Sequence, residues 1–155
     1  CAARRYMEPA AAELAARHAG YSHCTNLSQT FATMVRSRGD SEAYRRADIH
    51  FHRTLFAACP DQCYASFDAS VARILDCRTQ QGLMPAKPVT GDAHAEVLRA
   101  VLVGDALGAR RATQVITDEA FTAVFERRRM LSTWPLPRMR RSRRGRGADP
   151  EDPFT

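Results

Sequence analysis

Ala47-Asp48-Ile49-His50-Phe51-His52, continued by Arg53-Thr54-Leu55-Phe56-Ala57-Ala58-Cys59, decides how this chain is read. At spacings of three and four, Asp48, His52, Leu55, Phe56 and Cys59 share one side of a helix. Apolar residues recurring in that way mark a stripe that faces a core. Asp48 and His52 border the stripe and should point inward. His50 falls with Ala43, Arg46 and Arg53 on the outer side. Asp40 or Ser41 suits the N-cap of this helix, which is expected to run to about Cys59, ahead of Pro60.

The same periodicity extends in both directions. A first helix is expected from about Arg4 to His18, with Met7, Ala11, Leu14 and Ala15 on one face and Gly20 as its stop. A second should cover roughly Thr25 to Arg38, with Leu27, Phe31, Met34 and Val35 inward. After the central helix, a fourth spans about Asp61 to Gln80 with Tyr64, Phe67, Val71, Ile74 and Leu75 inward. Residues 82–91 hold two prolines and two glycines and read as a loop. A fifth helix is expected from about Asp92 to Val103, with Val97, Leu98, Val101 and Leu102 as its apolar set. Gly104-Asp105 reads as a turn and a new cap, and a sixth helix follows to about Leu131. β-branched alternation is scarce, so the expected fold is all-α, an antiparallel bundle of six to seven helices. Residues 1–131 form the expected domain. Residues 132–155, rich in Arg and Pro, read as a disordered tail.

Charge is unevenly placed. The chain has 155 residues and a formal net charge of +6. Nine arginines lie in 127–146, leaving 14 of the 23 Lys and Arg elsewhere, against 14 of the 17 Asp and Glu before residue 127. A neutral body is a poor nucleic-acid binder by itself. The basic stretch would at most add salt-sensitive affinity for polyanions. No apolar run approaches the roughly 18 residues of a membrane span, and no secretory leader is visible. The five cysteines, Cys1, Cys24, Cys59, Cys63 and Cys77, have no pair at the two-residue spacing of a zinc knuckle or redox motif. They are expected to be buried, reduced thiols of a cytoplasmic protein.

His94 stands one turn before Val97 and Leu98 and should also face inward. A buried carboxylate and two buried imidazoles are costly unless they find partners or a cation. One divalent metal would satisfy all three, and the donor set suits zinc, nickel, manganese or iron. The spacing alone also permits a plain Asp–His hydrogen-bonded pair beside an ordinary core histidine.

Four segments together resemble the FCD domain, the C-terminal effector-binding domain of the FadR subfamily of GntR regulators. They are Arg4-Arg5-Tyr6-Met7-Glu8-Pro9 with Ala15-Ala16; Asp48 with Phe51-His52; His94 with Val97-Leu98; and Gly104-Asp105 with Ala109. The resemblance covers about residues 2–130. It implies a ligand-sensing and dimerising domain of a transcription regulator, not an enzyme, binding a small carboxylate effector. It places Asp48, His52 and His94 at three of four metal-ligand positions. The fourth, a histidine in many relatives, is Ile116 here, with Glu119 or Thr113 one turn either side as substitutes. Arg4 is expected to bind the effector carboxylate through its planar fork, or else to pair with Glu8 on the helix surface. Asp61 stands where relatives often have Asn. No winged helix-turn-helix is visible before Arg4, so the resemblance implies DNA contact only through an N-terminal domain not in this sequence. An open metal site is also what a hydrolase uses. A small metal-dependent hydrolase on a helical bundle is thus the alternative reading, although no general base is evident beside the trio.

Overall fold

The computed structural model describes residues 2–80 and 91–132. Among these residues all regular structure is helical: α1 Ala2–His18, α2 Tyr21–Arg36, α3 Ser41–Ala57, α4 Gln62–Ala65, α5 Asp68–Gln80, α6 Gly91–Leu102 and α7 Ala106–Ser132. The expected loop at 82–91, all but its last residue, the expected disordered tail at 132–155, all but its first residue, and Cys1 lie outside the described residues.

Local chemistry explains the ends. Asp40 caps α3, its Oδ1 accepting from Glu42 N at 2.9 Å and Ala43 N at 3.0 Å. Gly104 adopts φ 72°, a left-handed conformation that favours glycine. Asp105 N reaches back to Ala100 O at 2.8 Å, which closes α6. Asp105 then caps α7 through Gly108 N at 2.8 Å. Gly108 matters there because a Cβ would clash with the Asp105 carboxylate.

The single helix expected over 61–80 is two. Asp61 caps the short α4, accepting from Cys63 N at 2.7 Å, and is itself exposed. The Ser66 hydroxyl donates to Cys63 O at 2.7 Å, and Phe67 N bonds Tyr64 O three residues back. The chain tightens there instead of continuing at i−4, and Asp68 starts α5 with an acid in the first turn.

α1 packs chiefly on α7 and also meets α3 and α6; α2 packs on α3, and α3 on α5. One core cluster joins Ala12, Ala15, Leu27, Met34, Phe51, Leu55, Val97, Val101 and Ile116. A second joins Ala11, Ile49, Phe56, Cys59, Val71 and Leu75. Val35 and Leu102, expected inside, are exposed. In α2 the buried place goes to Thr30, whose hydroxyl is satisfied by Asn26 O at 2.8 Å and so tolerates the core. Leu102 is the last residue of α6, beside the turn. The cysteines also differ from expectation. Cys24, Cys59, Cys63 and Cys77 are in no disulfide, but only Cys59 of them is buried. Burial pushes its thiol up to about 11, with Asp61 adding to the effect. No helix among the described residues is long and apolar enough to cross a membrane.

Candidate metal centre

Two helices bring three donors to one point. α3 supplies Asp48 and His52 one turn apart, and α6 supplies His94. All three are buried, and one ligand atom from each lies within 4.8 Å of the others. His94 Nε2 is 3.1 Å from Asp48 Oδ1, and His52 Nε2 is 3.7 Å from the same oxygen. Tetrahedral bonds of ~2.0–2.2 Å set donor atoms roughly 3.4 Å apart, so these separations bracket those of one metal shell.

Phe51 packs against both rings. Its centroid stands 5.2 Å from His94 and 6.0 Å from His52, both edge-on, and the two imidazoles are 5.5 Å apart. This apolar packing holds the rings but satisfies none of their nitrogens. His94 Nδ1 and Nε2 are buried without a hydrogen bond. The 3.1 Å contact to Asp48 has the length of one, but the ring N–H does not aim at the oxygen. An unpaired buried imidazole costs on the order of 1–3 kcal/mol. A cation at Nε2 would remove part of that cost, so the donor set fits a metal.

α1 contributes a buried pair, Arg4 with Glu8, where the sequence had left Arg4 either at the effector or paired with Glu8 on the helix surface. Arg4 is 4% and Glu8 1% exposed. Arg4 Nε donates to Glu8 Oε1, and Arg4 Nη2 donates to Oε2 at 2.9 Å. Glu8 Oε2 also lies 3.0 Å from His52 Nδ1. Burial alone would raise the Glu8 carboxyl, but His52 and Arg4 outweigh it and hold the group down at about 2. Asp48 is likewise held well below the usual carboxylate range, against the effect of burial, by His94, His52 and Arg4. Burial lowers Arg4, but Glu8 outweighs it and leaves the guanidinium above its ordinary value.

Access is from the Asp48 side. Its side chain keeps 12% exposure, whereas each imidazole keeps 1%. Tyr44 stands one turn earlier on the same face of α3. Burial first, then the Asp48 charge, pushes its phenol up to about 12. Sequence reading had missed Glu8 and Tyr44 as site residues. The i,i+4 step from Tyr44 to Asp48 was a signal for the second, but nothing in the spacing showed that α1 buries Glu8.

The other sequence-stretch candidates separate clearly. His50 is exposed, as its helix face required. Ile116 is 2% exposed within the apolar cluster that contains Phe51 and Val97. Glu119 is exposed, and the Thr113 hydroxyl is spent on Ala109 O at 2.9 Å. Neither therefore substitutes for the missing fourth donor.

The depressed carboxyls give a pH prediction. For Glu8, folded near 2 and ordinarily near 4.5, the stabilisation is fully present above about pH 4.5. It is lost as pH falls toward 2. Urea denaturation of wild type and Glu8→Gln, which cannot titrate, should converge by about 2 kcal/mol between pH 7 and pH 3. A constant difference between them would contradict this electrostatic assignment.

Compared with known protein families, residues 1–118 match the FCD domain. No curated protein matches the chain.

Proposed function

The chain belongs to the FCD domain family, and from that premise we propose that it senses a small carboxylate through a divalent metal held by Asp48, His52 and His94. FCD domains are regulatory, effector-binding domains of GntR-type transcription regulators. The observation that carries the metal reading is the convergence of three buried donors, with His94 Nε2 left without a hydrogen bond.

Charge balance supports a carboxylate. With neutral imidazoles, Arg4, Glu8 and Asp48 leave one net negative charge in the site. A bound zinc, nickel, manganese or iron ion would reverse that to one positive charge and offer open positions to oxygen donors. One effector carboxylate then restores neutrality, the favourable state in a low-dielectric interior. Arg4 is the second contact for that carboxylate. Its Nε and Nη2 hold Glu8, while Nη1 has no partner among the described residues. Effector bound between α1, α3 and α6 favours one arrangement of those helices, which is how binding would reach a DNA-binding domain joined to this one.

The hydrolase alternative needs a general base. Glu8, the nearest further acid, is held near 2 by His52 and Arg4 and is a weak base at neutral pH. The reading is therefore a sensor. With zinc added, calorimetry against a panel of small mono- and dicarboxylates should give saturable binding without turnover. Steady hydrolysis of an ester or amide panel, abolished by chelation, would favour the enzyme instead.

A homodimer is part of the proposal. Exposed Leu102, Val103 and Leu107 flank the α6–α7 turn, and exposed Val115 lies further along α7. Beside them lies a groove of about 430 Å³ lined in part by Glu96, Arg99, Asp105 and Arg111. Mixed charges around apolar residues suit an isologous contact, which sets acids on bases. Sedimentation at tens of micromolar should give a dimer that Leu102→Asp/Leu107→Asp dissociates. A wild-type monomer throughout that range would refute it.

Residues 1–131 as one effector-binding domain, with a separate tail over 132–155, belong to the same proposal.

A further inference from the structure

We infer that Tyr44 and Arg38 form a second anion subsite at the mouth of the centre, and that the effector is a short aliphatic dicarboxylate. The inference rests on the sensor reading and names the class of acid that the sensor takes.

Tyr44 stands one turn before Asp48 on the same face of α3, so about 5–6 Å separates their Cβ atoms. Its ring packs against the core cluster that holds Phe51 and Val97. Its hydroxyl is unspent: it has no hydrogen bond among the described residues and is not sealed from solvent. Burial and the Asp48 charge push the phenol up to about 12. At neutral pH it therefore keeps its proton and can donate to an anion. Asp48 is also the open edge of the centre, its side chain 12% exposed against 1% for each imidazole. A ligand that enters on that side passes Tyr44.

Arg38 adds charge at the same end of α3. It lies in the turn between α2 and α3, where Asp40 N bonds Ser37 O at 2.9 Å, and its charge acts on the Tyr44 phenol. Arg38 is exposed and forms no ion pair among the described residues. The acids beside it are engaged elsewhere. Asp40 accepts from the two backbone N–H groups that begin α3, and Glu42 pairs with Arg45 and Arg46.

Charge then selects the acid. A divalent metal with Arg4, Glu8 and Asp48 leaves one positive charge at the centre, which one carboxylate neutralises. A second carboxylate is unfavourable there unless a further cation meets it, and Arg38 is that cation. Tyr44 supplies a hydrogen bond to the same group. A separation of one helical turn suits two carboxylates joined by a few carbons.

The experiment is calorimetry on the zinc-loaded full chain, freed of excess zinc, with acids matched in carbon number: glutarate against pentanoate and succinate against butanoate. Wild type should prefer the dicarboxylate roughly tenfold in at least one pair. Arg38→Gln, at an exposed position, should reduce that ratio by itself, and Arg38→Gln/Tyr44→Phe should bring it near one. Equal affinity of wild type for both members of each pair overturns the inference and leaves the sensor reading standing. A double variant that keeps the wild-type ratio overturns it too, even if both affinities fall together. If wild type binds none of the four acids, the sensor reading and this inference fail together.

Discussion

Zinc or nickel titrated into the metal-free protein is expected to bind at one site, to be lost in His52→Ala, and to bind more tightly in Ile116→His. His52 is one of three side-chain donors, so its removal should cost more than the roughly 10–100-fold that a supporting residue costs. Ile116 stands where the family resemblance places a fourth donor, and it is buried in the apolar cluster that includes Phe51 and Val97. An imidazole there would lie among residues already facing the centre and would restore a complete set. Because ligation needs neutral imidazole and ionised Asp48, binding should weaken steeply in acid. Equal affinity in wild type, His52→Ala and Ile116→His would mean that the trio is only a set of polar core residues.

The second large effect is on stability. Glu8→Ala is expected to destabilise the protein by about 3–5 kcal/mol, because it strands the Arg4 guanidinium in the interior. Arg4→Met/Glu8→Leu should cost far less, since a well-filled apolar pair avoids desolvating two charges. Urea denaturation at pH 7 gives both values. A Glu8→Ala cost below about 1 kcal/mol, the usual worth of an exposed pair, would place the pair in solvent after all.

Much of the bundle was legible because helix periodicity is a local property. Gly20, Gly39, Gly104 and Asp105 mark chain direction changes within a few residues of themselves, and the corresponding helices end close to where they indicate. The inward direction of Asp48, His52 and His94 followed from apolar neighbours on the same helices. Where local signals competed, reading failed. Ser66 bonds its own preceding turn and divides 61–80, although the apolar spacing runs through it. Thr30 looks polar but carries its own acceptor within the helix, so it is buried beside Leu27 and Met34 while Val35 is left exposed.

The sequence by itself determined the helices, their stripes and the inward trio, because each depends on residues within one or two turns. Only the tertiary structure decided that Arg4 and Glu8 are interior. Their own helix offers an i,i+4 pair that is equally good on a surface. What buries it is the packing of α1 against α3 and α6, which sets Arg4 beside His52 across 48 residues of chain. Burial then changes the physics of the pair. Charges that water would screen become strong enough to hold Glu8 near 2.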